Sequence, residues 1–509
     1  MNQRLTQIIL LLTTIIFGLS FFTGCGKKTG TGSEPELTWA TWTTNHSDYL
    51  DYNEQPFFKE LQKQTGVKIK FKFDVIGEAF NLLIASGDLP DIIQYNWYSR
   101  PGGPEKQIND GIIIDLTDAI NKWAPNLRAY LDKHPDIDRD IKTDSGKYYC
   151  FPFIRGDEYL TVFEGPMVRK DLLDKYRLEI PETIAEWENV LKVFKENGIK
   201  SPLSLTTEFS RGFYSAYNVT EDYYLDNGKI KFGPIENGWK EFLQLFNKWY
   251  KEGLLDSDYG TVDKAILNSK ISSGNAAAAG GLAGSTMGVC ITAGKELNEK
   301  FELIGAKYPV LNKGDYPEFG QKDLLYNPNS GAAITSQCKN IELAAKVLDF
   351  AYGAEGHMLY NFGIAGESYE MIDGYPKYTD VITNYENGDI TASLKRYVVS
   401  VDHAPCIQDV RMYEQRLIYA EQKEAIRVWS QTNMAKHVLP HITYTPEETE
   451  IINEVDENIK TYVSENTMKF ILGLKSFDEW NSYVETIRSL GIDKIIAIKE
   501  TALERYNNR

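Results

Sequence analysis

The residues best suited to chemistry in this chain are aromatic rings and planar polar side chains near the ends of predicted strands. Trp42 stands at the end of the run Leu37–Thr43 (LTWATWT), and Asn96 and Trp97 follow Leu89–Tyr95 (LPDIIQY). Arg155 comes just after Phe151 and Phe153, downstream of a Ser-Gly hairpin turn, and Tyr326 and Asn327 precede Gly331–Ser336 (GAAITS). Glu367 and Tyr369 lie in the glycine-rich run GIAGESYEMIDGYP, read as an irregular loop delivered by a helix. Rings stack on apolar faces, while amide, guanidinium and carboxylate groups pair with hydroxyls and amides. That is the chemistry of holding a ligand. Each position also has a plainer reading: a ring in the core, an arginine in an ion pair, a loop with satisfied polar groups.

Catalytic and metal motifs are sparse. No GxSxG elbow, HExxH helix or Walker lysine loop occurs. His437 and His441 are four residues apart, but Pro440 lies between them and no third ligand is near in sequence. The expectation is no metal and no cofactor. Asp and Glu are abundant, so a carboxylate pair for glycoside hydrolysis stays open.

The elements that must position these residues begin as strand, helix, strand, helix, strand. Leu37–Thr43, Val67–Asp74 (VKIKFKFD) and Leu89–Tyr95 are strands, and residues 53–65 and 78–86 are helices. This alternation predicts a parallel α/β sheet. The middle is helix-rich, with Thr183 capping an amphipathic helix over Thr183–Asn197 and a small-residue stretch at Gly274–Gly288. Strands return at Phe301–Val310 and Gly331–Ser336, and helices dominate beyond Asp380.

At 509 residues the chain exceeds one ordinary core and predicts two lobes. A net charge of -17 with no basic stripe excludes nucleic acid as a partner class. Cys150, Cys290, Cys338 and Cys406 show no CxxC spacing, which argues against zinc and leaves their disulfide state open. Arg4, the apolar run Ile8–Phe22 and Thr23-Gly24-Cys25 form a secretory signal, with the apolar run short of the roughly 20 residues that span a bilayer. The cysteine after the small pair is similar to a bacterial lipobox. It implies a signal peptide over 1–24, a diacylglycerol on Cys25 and a tether over 25–36.

Several stretches together resemble the extracellular solute-binding lipoproteins of bacterial ABC importers, in their large oligosaccharide-binding branch (Paenibacillus and Bacillus type). They are SGDLPDII at Ser86–Ile93, GIIIDLT at Gly111–Thr117, RKDLLDKY at Arg169–Tyr176 and KWYKEGLLD at Lys248–Asp256. AEGHMLYNFGIAGESYEM at Ala354–Met371, GYPKYT at Gly374–Thr379 and the closing ALERYNNR complete the set. The resemblance implies an α/β, two-lobed, type II periplasmic-binding-protein-like clamp with three inter-lobe crossings and a helical C-terminal part. It places lobe 1 at 37–155 plus 308–368 and lobe 2 at 156–307 plus 369–509. Crossings fall near Phe151–Val162, Ala306–Leu311 and Ile364–Ile372.

By the same resemblance the ligand is an oligosaccharide, the partners are membrane permease subunits, and the chain is a monomer outside the cell with no enzymatic activity. A peptide or other solute and a secreted glycoside hydrolase are the alternatives. Trp42, Asn96, Trp97, Arg155, Tyr326, Glu367 and Tyr369 are then the expected ligand contacts. Gly281–Thr286 matches where sugar-binding relatives bring a strand to the cleft; relatives often carry Trp there, and this chain has Leu282. A calcium loop found in relatives is not carried over, because Glu196–Ser204 (ENGIKSPLS) lacks its ligand series.

Overall fold

The computed structural model describes residues 36–41, 52–72, 77–384, 390–401 and 404–509. Cys25, Trp42, the expected signal peptide and nearly all of the expected tether lie outside these residues. In chain order the strands are β1 (Glu36–Ala40), β2 (Lys68–Lys72), β3 (Ile92–Tyr95), β4 (Phe151–Arg155), β5 (Glu164–Arg169) and β6 (Ser201–Ser204). They continue with β7 (Tyr223–Asp226), β8 (Lys229–Phe232), β9 (Ala276–Leu282), β10 (Leu303–Gly305) and β11 (Tyr326–Ile334). The last are β12 (Tyr369–Ile372), β13 (Tyr375–Tyr378) and β14 (Ile407–Gln408).

Two larger sheets organise the fold. The first has six strands in the order β14-β4-β11-β3-β1-β2. β1 pairs in parallel with both β2 and β3, which the alternating strand–helix pattern predicts. β11 runs antiparallel between β3 and β4, and β14 lies parallel to β4. The second sheet has four strands in the order β10-β5-β9-β6. β6 is parallel to β9, and β5 is antiparallel to it.

Each sheet nucleates its own hydrophobic core. The first gathers Leu37, Trp39, Ile69, Phe80, Ile92 and Ile93 with Leu348 and Tyr360. Helix Ile341–Phe350 packs on it, its start closed by Asn340, whose side chain accepts from Leu343 N–H at 3.1 Å. The second core gathers Met167, Trp187, Phe194, Leu203, Phe246, Trp249 and Trp429. Helix Ile184–Glu196 opens with a capping box between Thr183 and Glu186, and buries Ile184, Trp187, Val190, Leu191 and Phe194 on one stripe. Both segments form where local capping and periodicity agree, so their packing stabilises a conformation the sequence already favours.

The chain changes cores three times. Ile154 belongs to the first and Val162 to the second. Tyr308 and Phe319 are still in the second, and Tyr326 is back in the first. Cys406 is in the first and Leu417 in the second. The second change therefore falls after Phe319 rather than at 306–311, and the third falls after β14 rather than at 364–372. The segment 362–412 has its own small cluster around Phe362, Tyr369, Tyr378, Leu394 and Met412. A two-residue strand such as β14 carries no periodicity to announce itself.

Two local elements differ from expectation, and a third gains a definite form. The run after Gly363 is a hairpin: Tyr369 pairs with Tyr378 and Ile372 with Tyr375 across an Asp373-Gly374 turn. Both turn residues have positive φ, 51° and 78°, as a two-residue hairpin turn requires. The small-residue stretch 276–282 is the central strand β9, with Ala276–Ala279 wholly buried. A Cβ on Gly280 would stand 2.5 Å from the carbonyl oxygen of Phe209, so the neighbouring backbone approaches where only glycine fits. Finally, Tyr326 begins a strand instead of standing in a loop, because β11 reaches back to pair Tyr326 with Ile154.

Candidate functional site

The first connection joins the carboxyl end of β4, at Arg155, to the amino end of β5, at Glu164. Glu164 stands opposite Leu282, the last residue of β9. These strand ends from both sheets enclose a cavity of about 370 Å³, lined by Phe153, Arg155, Leu160, Phe163, Leu282, Gly284, Ser285, Val401, Gln408, Tyr413 and Arg416. Such a volume suits a small-molecule site, which typically measures about 300–1,000 Å³. Carboxyl ends of strands are where open α/β sheets present ligand contacts. A π-helical turn, Ala283–Gly288, carries Gly284 and Ser285 directly after β9.

Arg155 is fixed from several sides. Its Nη1 donates to the Leu160 carbonyl at 2.8 Å and its Nη2 to Asp323 at 2.8 Å, and the guanidinium lies 5.3 Å from the Phe163 ring centroid. Its buried Nε finds no acceptor among the described residues. Arg416 donates to the Val401 carbonyl at 3.1 Å and sits over the Tyr413 ring at 5.7 Å. Gln408 is held by the Ser400 and Val401 carbonyls. The lining thus combines ring faces with planar polar groups whose orientations are set by their own hydrogen bonds.

Beside the cavity lies a charged cluster. Glu164 is 6 % exposed and meets Arg211 at 3.4 Å, while Arg211 also reaches Glu221 at 3.3 Å. Burial pushes the Glu164 carboxyl up to about 7; Arg211 opposes that rise, and Glu221, Glu208 and Asp323 reinforce it. Among the described residues no three His, Cys, Asp or Glu side chains converge as a metal cage.

Of the sequence-predicted contacts within the described residues, only Arg155 lines this cavity. Asn96 follows β3 and donates to Asn329 at 2.9 Å, at the same end of the first sheet. Trp97 is fully buried: its Nε1 donates to the Gly331 carbonyl at 3.0 Å and its ring meets the edges of Phe80 and Tyr95. It offers no open face and belongs to the core. Tyr326 is buried, with its hydroxyl 2.6 Å from that of Tyr149. Tyr369 packs on Phe362, and the exposed Glu367 accepts from Tyr397 at 2.9 Å. Both stand in the hairpin cluster, outside the lining. All four internal cysteines are buried free thiols.

Phe163, Ser285, Gln408, Tyr413 and Arg416 were not singled out by sequence reasoning. Phe163 had a usable signal, since it lies one residue past the expected first crossing. Gln408, Tyr413 and Arg416 flank the unannounced third crossing and had none. Leu282, flagged as standing where relatives often place Trp, does line the cavity.

The chain resembles known proteins over nearly its whole length. It is 25% identical over 549 aligned residues to the "Fructooligosaccharide ABC transporter substrate-binding protein FusA" of Streptococcus pneumoniae, covering 96% of each chain. The alginate-binding protein AlgQ2, solved without calcium ion, superposes with a TM-score of 0.71 at 23% identity, over 93% of this chain and 99% of that one. An extracellular solute-binding protein from Bifidobacterium longum subsp. infantis gives 0.76 at 18% identity, over 94% and 100%. Among the described residues no helix is long and apolar enough to cross a membrane. The profile described as "Bacterial extracellular solute-binding protein" matches residues 45–358, well over half the chain, and the protein belongs to that family.

Proposed function

We propose that this protein is the capture component of an ABC importer, taking an oligosaccharide between its two lobes and presenting it to membrane permease subunits. The carrying observation is the cavity between the facing ends of the two sheets, where ring faces and pre-oriented planar polar groups meet. The relatives support this reading, because FusA is by name a fructooligosaccharide binder and AlgQ2 an alginate binder. Closure of the lobes on the ligand would couple affinity to domain motion. The amino-terminal sequence supports an anchor at Cys25 on the outer face of the membrane. The protein acts as a receptor without turnover, a reading supported by relatives that are binding proteins by name.

Isothermal titration against a panel of oligosaccharides tests the proposal. Saturable binding without product formation supports it. Turnover of a glycan would make the protein an enzyme, and binding restricted to peptides would move it to another class of importer.

A further inference from the structure

The charges around the cavity distinguish between classes of sugar. Among the described lining residues the only cations are Arg155 and Arg416. Arg155 is already paired with Asp323 at 2.8 Å, with a second donor on the Leu160 carbonyl. Arg416 donates to the Val401 carbonyl and lies over Tyr413. Next to them, Arg211 is shared between Glu164 and Glu221. Glu208, Glu221 and Asp323 thus all act on the buried Glu164. Burial is the main cause of the raised Glu164 carboxyl, and these carboxylates add to it.

Residues 42–51, 73–76, 385–389 and 402–403, outside the described set, contain no Lys or Arg and six acidic residues. The whole chain carries -17.

An anionic sugar brings a carboxylate that must leave water, and that is favourable only against a cation free to pair with it. The unengaged Nε of Arg155 is buried, so a uronate that took its Nη groups would displace Asp323 and leave that carboxylate beside the ligand's own. The negative surroundings would also slow the approach of a polyanion. A neutral sugar meets no such conflict. An arginine fixed by a carboxylate presents a donor and an acceptor side by side, which matches a pair of neighbouring hydroxyls.

Resting on the oligosaccharide reading above, we propose that the ligand is a neutral oligosaccharide and that the Arg155–Asp323 pair excludes uronate-containing ones. Among the named relatives this sets the chain with the fructooligosaccharide binder rather than the alginate binder.

The test is calorimetry on the full chain in detergent, with neutral fructo-, galacto-, manno- and xylo-oligosaccharides and with galacturonate and mannuronate oligomers of matched length. A neutral oligomer is expected to bind at least about 100-fold more tightly than any uronate, since a like-charge contact costs several kcal/mol. Its affinity should be nearly flat in salt. The variant Asp323→Asn, which frees Arg155, should weaken the neutral ligand and raise uronate affinity. A wild-type protein that prefers a uronate, with affinity falling as salt rises, overturns this inference and leaves the oligosaccharide receptor intact. Uronate affinity unmoved by Asp323→Asn overturns the role given to the pair. Binding of peptides and of no sugar overturns both readings.

Discussion

Arg509, the last residue of the chain, donates through Nη2 to Oδ1 of Asp144 at 2.8 Å. Arg505 reaches the other oxygen of the same carboxylate through Nε at 3.0 Å. Asp144 sits in the hairpin before β4, among elements of the first core, while helix Ile492–Asn507 grows out of the second. Tyr506 extends the join by donating to Asp140. These carboxyl-terminal residues therefore add a link between the two cores besides the three crossings.

This join predicts a stability effect. The Arg509 side chain is wholly buried, and removing its partner strands a charge. Asp144→Ala should lower unfolding free energy by about 2–4 kcal/mol in urea titration, somewhat under the roughly 3–5 kcal/mol for breaking a fully buried pair because Asp144 is a quarter exposed. A loss below about 0.5 kcal/mol would place the contact with ordinary surface ion pairs.

Trp97 gives a prediction that separates core from site. Its Nε1 and ring are fully engaged inside the first core. Trp97→Ala should destabilise by about 3–5 kcal/mol, as large core truncations do. Trp97→Phe should bind ligand like wild type despite a lower melting temperature. Lost affinity at unchanged stability would return this ring to the ligand.

The pH dependence follows from two carboxyls with opposite shifts. Burial holds the Glu164 carboxyl above its usual 4.5, at about 7. Protonation therefore favours the folded state. Its contribution, up to about 3 kcal/mol, is full below pH 4.5 and is lost as pH rises through 7. Burial alone would raise Asp409 too, but hydrogen bonds from His357 and Arg411 outweigh it and hold this carboxyl well below its usual 3.8. Its contribution is present above that value and lost as pH falls below it. Thermal melts should thus weaken at both ends, and Glu164→Gln should flatten the slope between about pH 5 and 8. An unchanged slope in that variant would contradict the assignment.

The internal thiols supply a chemical prediction. Cys150, Cys290, Cys338 and Cys406 are buried and unpaired, and burial pushes Cys150, Cys290 and Cys338 up to about 12. Thiolates are the reactive form, so none should react with a disulfide reagent in the native protein. All four should become accessible in denaturant. Fewer than four would reveal a disulfide.

Much of the scaffold is legible in the sequence, because its elements obey local rules. β1, β2 and β3 alternate with helices, and Thr183 and Asn340 cap as their positions suggest. Two elements are less legible, for physical reasons. β9 is built from Ala and Gly, which carry little strand preference, and becomes a strand only because β5 and β6 close on it. The Asp373-Gly374 pair is a standard hairpin signal that the surrounding glycines obscured. The site was harder. Trp97 follows a strand end as a ligand platform would, yet Phe80 and Tyr95 enclose it. Gln408, Tyr413 and Arg416 reach the cavity only through long-range pairing of β14 with β4, which no local pattern encodes.

The central claim is that the cavity between the two sheets holds the sugar. Gly284 lines it, and a Cβ built there meets nothing within 4 Å, so Gly284→Phe should fill the space without disturbing the fold. The decisive measurement is calorimetric titration of wild type and Gly284→Phe with the tightest-binding neutral oligosaccharide. At least about a tenfold loss of affinity, roughly 1.4 kcal/mol, is expected at an unchanged melting temperature. Equal affinity in the two proteins would contradict it.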